Sequence, residues 1–167
     1  MRALLNCLLA LAVALPIARA ADSDSIESVT AAVYSVISGP AGPRDWDRFR
    51  ALFIDGGRLI SMRVTADGAT ANVMTPEDFA KRSGANSATN GFYEAEISRR
   101  VETFGNIAHV FSTYESRRAP GEKPFARGIN SFQLAKVGNS WKVVTILWDT
   151  EREWNPLPAQ YLTTPKR

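Results

Sequence analysis

The sequence predicts an α+β domain in which helices come first and strands last, and three observations carry that prediction. Ile26, Val29, Val33, Val36 and Ile37 recur at helical spacing near the start. From Phe92 onward the apolar period changes to two, the period of a strand. Two Gly-Asn pairs, Gly105-Asn106 and Gly138-Asn139, punctuate that alternating stretch as tight hairpin turns. A helical half followed by a strand-rich half is the pattern of an α+β fold.

Residues 1–20 read as a secretory leader. Arg2 supplies the positive start, an apolar run extends from Ala3 to Ala14, and Ala18-Arg19-Ala20 is a small-x-small cleavage pattern. The apolar run is shorter than the roughly 20 residues of a membrane span. The expected location is periplasmic or secreted, with residues 21–153 as one domain and 154–167 as a proline-rich tail.

The first helix begins after Asp24 or Ser25, either of which is a good cap, because a side-chain oxygen there satisfies free amides of the first turn. Gly39-Pro40-Ala41-Gly42-Pro43 stops it. A shorter helix follows from Arg44 or Asp45, with Trp46, Phe49, Leu52 and Phe53 on one face, and Asp55-Gly56-Gly57 is expected to end it. Arg58 to Val64 reads as a strand, Ala66-Asp67-Gly68 as a hairpin turn, and Thr70 to Met74 as the return strand. Thr75-Pro76-Glu77-Asp78 opens a third helix: cap, proline at the first position, then an acidic pair at the positive end of the dipole. Ser83 to Gly91 is polar and glycine-bearing, and is expected to be a loop and a candidate lid. The strands are expected at Phe92–Phe104, Ile107–Arg118, Phe125–Val137 and Ser140–Glu151.

Composition narrows the function. Of 167 residues, 20 are basic and 17 acidic, and two of the basic ones lie in the leader, so the domain is close to neutral. No basic run is dense enough for a nucleic-acid surface. Cys7 is the single cysteine and lies in the leader, so the domain has neither disulfide nor thiolate site. One histidine and no His-x-x-x-His or His-x-Glu pattern give no basis for a metal site. Gly56-Gly57 follows a helix instead of preceding one, so it cannot place amides for phosphate.

Three segments carry a resemblance: the aromatic helix Asp45-Trp46-Asp47-Arg48-Phe49-Arg50-Ala51-Leu52-Phe53; the turn and strand Gly105-Asn106-Ile107-Ala108-His109-Val110; and Gly128-Ile129-Asn130-Ser131-Phe132-Gln133-Leu134 with Gly138-Asn139-Ser140-Trp141-Lys142-Val143-Val144 and Trp148. Together with the element order over Ser25 to Glu151, they resemble the nuclear transport factor 2-like superfamily, including its polyketide-cyclase-like and ketosteroid-isomerase-like members. The tail, Asn155-Pro156-Leu157-Pro158 with Tyr161-Leu162, is similar to that of exported bacterial members. The resemblance implies a cone: a strongly bent antiparallel sheet wrapped around three N-terminal helices, with an apolar cavity at its open end. It also implies a homodimer through the outer face of the sheet. The superfamily holds enzymes, ligand binders and interaction modules, and fold alone does not choose among them.

His109 is the one histidine and so a candidate general base, the role for which that side-chain type is suited. Its face is set by strand parity: if Ala108, Val110 and Ser112 face the helices, His109, Phe111 and Thr113 face away. The ketosteroid-isomerase-like pattern needs a carboxylate base with two donors, and Asp45, Asp47, Asp149, Tyr34, Tyr93 and Tyr114 are the candidates. Asn130 shares its face with Gly128, Phe132 and Leu134, which suits a cavity wall with one polar handle. Arg127 is expected to pair Glu94 or Glu115 on the sheet exterior. Trp46, Phe49 and Phe53 are read as packing, Trp141 as core, and Trp148 and Trp154 as lining a pocket mouth or a dimer surface. The expected partner is a hydrophobic small molecule, contacted by Asn130, Tyr114, Tyr93 and Trp148, with no cofactor. A cofactor-free acid/base enzyme with His109 as base, and an interaction module using the outer sheet face, are the alternatives.

Overall fold

A computed structural model of the chain describes residues 21–163; residues 1–20, where the leader is expected, and residues 164–167 lie outside them. Helix α1 (Ile26–Ile37) starts from Ser25, whose hydroxyl accepts from the Ser28 amide while the Ser28 hydroxyl accepts from the Ser25 amide. Helix α2 (Trp46–Ala51) is capped by Asp45, which accepts from the Arg48 amide at 2.9 Å. Strands β1 (Phe53–Thr65) and β2 (Gly68–Met74) form a hairpin. Helix α3 (Pro76–Ser87) begins with the predicted cap at Thr75. Strands β3 (Tyr93–Phe104), β4 (Ile107–Arg117), β5 (Ala126–Val137) and β6 (Ser140–Thr150) are the predicted meander. A 3-10 turn at Ala159–Tyr161 closes the described tail.

The strands make one curled, unclosed sheet in the order β2-β1-β6-β5-β4-β3. All pairs are antiparallel except β1 with β6, which is parallel. The parallel pair is where the helical half is stitched to the meander. The Val143 amide donates to the Leu52 carbonyl at the end of α2, and Phe53 stands beside Val143. Three expectations are corrected here. Asp55-Gly56-Gly57 does not end a helix: α2 stops at Ala51, and these residues form an irregularity inside β1 between Phe53 and Arg58, with Gly56 at φ +78°. Ser83 to Gly91 is not a loop throughout, because α3 continues to Ser87. Arg127 pairs neither Glu94 nor Glu115; its Nε donates to Glu151 at 2.8 Å, and Glu115 is taken by Arg117.

The core lies between the concave face of the sheet and the helices. Val29, Val33 and Val36 of α1 and Phe49 of α2 pack on Val110, Phe132, Leu134, Val143 and Ile146, all buried. Burial of each such side chain contributes about 1.5–3 kcal/mol. Trp141 packs against this cluster as predicted, whereas Trp154 is 74% exposed.

Candidate functional site

The concave face of the sheet and the three helices enclose a cavity of about 400 Å³. Its walls are mainly apolar. Trp46 and Phe49 come from α2, Phe79 from α3, Phe132 from β5, and Ile146 and Trp148 from β6. The aromatic rings contact one another in sequence. Trp46 meets Phe49 edge-on at 5.7 Å, Phe49 stacks on Phe79 at 5.2 Å, and Phe79 meets Trp148 edge-on at 6.3 Å. Such pairs are worth about 0.5–1.5 kcal/mol each beyond their burial, so this wall is stiff. Trp46 and Phe49 are therefore both packing and cavity wall.

Two polar side chains, Glu94 and Asn130, reach this cavity from the sheet. Glu94 is held from several directions. The Ser116 hydroxyl donates to its Oε2 at 2.9 Å, and Asn130 Nδ2 donates to its Oε1 at 3.3 Å. Its backbone is pinned by Ser38 at the end of α1, which accepts from the Glu94 amide at 2.9 Å and donates to its carbonyl at 3.2 Å. Burial pushes the Glu94 carboxyl up to about 7, against the hydrogen bonds from Ser116 and Asn130, which favour the ionised form. The same Asn130 Nδ2 donates to the Tyr34 hydroxyl at 3.0 Å, and that hydroxyl lies 2.7 Å from the Ser112 hydroxyl. Ser112 in turn donates to Glu96, which is paired with Arg99. Burial, with the nearby Glu94, drives the Tyr34 hydroxyl well above its ordinary range, so it stays protonated.

A β-bulge puts Glu94 there. Below Phe104, which faces Ile107, the β3–β4 ladder runs regularly to Ser98 opposite Thr113. Ile97 is then an extra residue, and Glu96 faces Tyr114 and Glu94 faces Ser116. In an unbroken ladder Glu94 would face Arg117 and share the outer surface of the sheet. One inserted residue exchanges the two faces of everything beyond it. The mouth of the cavity lies at α3, where the exposed Arg82 and Asn86 and the half-buried Ser83 line it, with Ser87 buried beside them. Gly84 on the same helix lets the Trp46 indole approach to 3.1 Å of where a Cβ would stand.

Neither a family model nor a curated protein matches the chain. Solved structures do match in shape. A cystatin-like-fold protein of unknown function from Nostoc punctiforme has a TM-score of 0.59 at 12% identity, covering 77% of this chain and 90% of that one. An NTF2-like protein of unknown function from Pseudomonas putida has a TM-score of 0.57 at 11% identity, covering 80% and 90%. A candidate ketosteroid isomerase from Parabacteroides distasonis has a TM-score of 0.53 at 13% identity, covering 77% and 89%. The fold is nuclear transport factor 2-like.

Within this nuclear transport factor 2-like cone, the residues singled out from the sequence divide sharply. Asn130 and Trp148 are cross-strand partners, and both line the cavity. Tyr114 is buried nearby over Gly128, with its hydroxyl 3.3 Å from Thr150, and is not part of the cavity lining. Tyr93 faces Arg117 on the strand parity opposite to Glu94, also outside the lining. His109 lies on the outer parity of β4, its Nε2 3.0 Å from the Ser131 hydroxyl and its ring against Phe111. His109 is thus not brought together with Asn130 or the cavity. Tyr34 is in the polar network, as the ketosteroid-isomerase-like pattern suggested among its candidates. Asp45 caps α2, and Asp149 is paired with Arg152 at 2.7 Å. The carboxylate that reaches the cavity, Glu94, was not among the candidate bases.

Proposed function

We propose that this chain binds a small hydrophobic molecule in the cone and moves a proton on it, with Glu94 as the acid/base group. One observation carries the reading. Glu94 is a carboxyl inside an apolar cavity, held on both oxygens and poised near neutrality, and such a group gives and takes protons at working pH. The aromatic wall of Trp46, Phe49, Phe79 and Trp148 suits a flat or cyclic apolar body. A carboxylate of this kind removes a proton from a carbon beside a carbonyl. Returning that proton to another carbon of the same molecule leaves Glu94 as it began, so the cycle closes without a consumed co-reactant. Likeness in fold to a candidate ketosteroid isomerase is consistent with that reaction class.

The test is solvent-deuterium exchange into a panel of cyclic ketones and enones, followed by NMR. The wild-type protein should catalyse exchange beside the carbonyl of at least one member. Glu94→Gln keeps the shape and loses the base, and should lower the rate about a hundredfold or more. Exchange that survives in Glu94→Gln would sink the reading. Tight binding without any exchange would leave ligand binding alone, the reading that the sequence favoured.

A further inference from the structure

The cavity is polarised. Its deep polar groups, Glu94 and Asn130, come from the sheet, and its mouth is formed by the last turns of α3. Of the residues lining it, Arg82 at that mouth is the one cation. The neighbouring basic residue Lys81 is paired with Glu77 at 3.6 Å, and Arg50 is paired with both Glu77 and Asp47. Of the acids near the start of α3, Glu77 is therefore occupied by other bases and Asp78 by the cap at Thr75. Arg82 has neither an ion pair nor a hydrogen bond among the described residues. It is exposed, and it stands one and four residues from Ser83 and Asn86, which line the same mouth. A guanidinium beside a hydroxyl and an amide at the rim of an apolar pocket is a site for an anionic head whose body lies inside.

We infer that the ligand of this cavity is an amphipathic acid: an apolar ring or chain against Trp148, Phe79 and Phe132, with a carboxylate or similar anion held at the mouth by Arg82, Ser83 and Asn86. The inference deepens the reading of the cavity as a small-molecule site and rests on that binding, but not on proton transfer by Glu94. The end of the ligand away from the anion meets Glu94 and Asn130, so a carbonyl or hydroxyl there completes the match.

Two fluorescent probes with the same apolar body test this. The sulfonate 8-anilinonaphthalene-1-sulfonate carries the anion, and N-phenyl-1-naphthylamine lacks it. Both are titrated into the wild-type protein, Arg82→Gln and Lys81→Gln, each checked for folding by circular dichroism. The wild-type protein should bind the sulfonate at least about fivefold more tightly than the neutral amine, and the preference should weaken at high salt. Arg82→Gln should remove the preference while leaving affinity for the amine unchanged. Lys81→Gln should keep it. Equal affinity of the wild-type protein for the two probes would overturn the inference, as would failure of both to bind, or an equal loss for both in Arg82→Gln. A sulfonate preference that is lost in Arg82→Gln, with no exchange activity in the wild-type protein, would leave this inference standing while the catalytic reading fell.

Discussion

Burial favours the neutral form of Glu94, and that has a consequence for stability that does not depend on any substrate. In the unfolded chain its carboxyl ionises near the ordinary value of 4.5, whereas in the cavity it does so at about 7. Between these values the folded state holds a proton that the unfolded state has lost, so stability falls as pH rises through that window and is flat above it. The other ionisable groups of this network are Tyr34, which stays protonated, and Glu96, which is paired with Arg99. Urea unfolding at pH 5 and pH 8 should therefore show a loss in the wild-type protein, of order 3 kcal/mol at most, that is largely absent in Glu94→Gln. An identical pH dependence in both proteins would mean that the carboxyl is not desolvated. Sequence reading named Tyr34 and Asn130 among its candidates but placed Glu94 on the exterior, and the reason is specific. Parity counted back from the Gly105-Asn106 turn assigns Glu94 to the outer face, and nothing about Ile97 announces the bulge that reverses it.

At the scale of elements, β5 shows how closely the sheet is fitted around the site. Gly128 stands opposite Tyr114 on one side and Thr150 on the other. A Cβ there would lie 2.2 Å from the Asp149 carbonyl oxygen and 2.7 Å from the Tyr114 hydroxyl. The first contact is with backbone, which moves only if β5 and β6 part. Gly128→Ala should thus cost about 3 kcal/mol in urea unfolding, and a change under about 0.5 kcal/mol would show that the strands are looser than this geometry. Most elements were legible because their signals are local: the Thr75 cap, Pro76 and the Gly-Asn turns stand where the sequence put them, and the first cap is Ser25, one of the two residues offered for it. The second half of α3 was not. Its inward face is made of small residues, Ala80, Gly84 and Ser87, because the indole of Trp46 lies against Gly84, so the apolar periodicity that marks a helix is missing. The first part of the supposed lid, residues 83–87, is helix and contributes to the cavity lining. The parallel pairing of β1 with β6 was equally hidden, since it joins residues about ninety positions apart and no local pattern encodes it.

For the whole molecule, the proline-rich tail decides what the outer face of the sheet is available for. It crosses that face. The Leu157 amide donates to Glu151 at 3.0 Å, the Thr113 hydroxyl donates to the Tyr161 carbonyl at 2.6 Å, and the Tyr161 ring meets Phe111 edge-on at 5.1 Å. Arg100 also donates to the Gln160 carbonyl. The tail thereby half-buries Phe111 and Ile129, leaves Leu147 exposed, and a groove of about 390 Å³ remains beneath it. The outer face is also the one through which the sequence resemblance implies a homodimer, so a partner on this surface would compete with the tail or have to pack over it. Removing residues 154–167 uncovers apolar side chains that a second copy of the same surface would bury. Sedimentation of the truncated domain, confirmed as folded by near-ultraviolet circular dichroism, should show self-association at concentrations where the full domain shows less. Equal masses for the two across the same concentration range would mean that the tail does not guard an association surface. The cavity opens on the other side of the sheet, so the truncated domain should keep the probe preference set by Arg82 even as its mass changes.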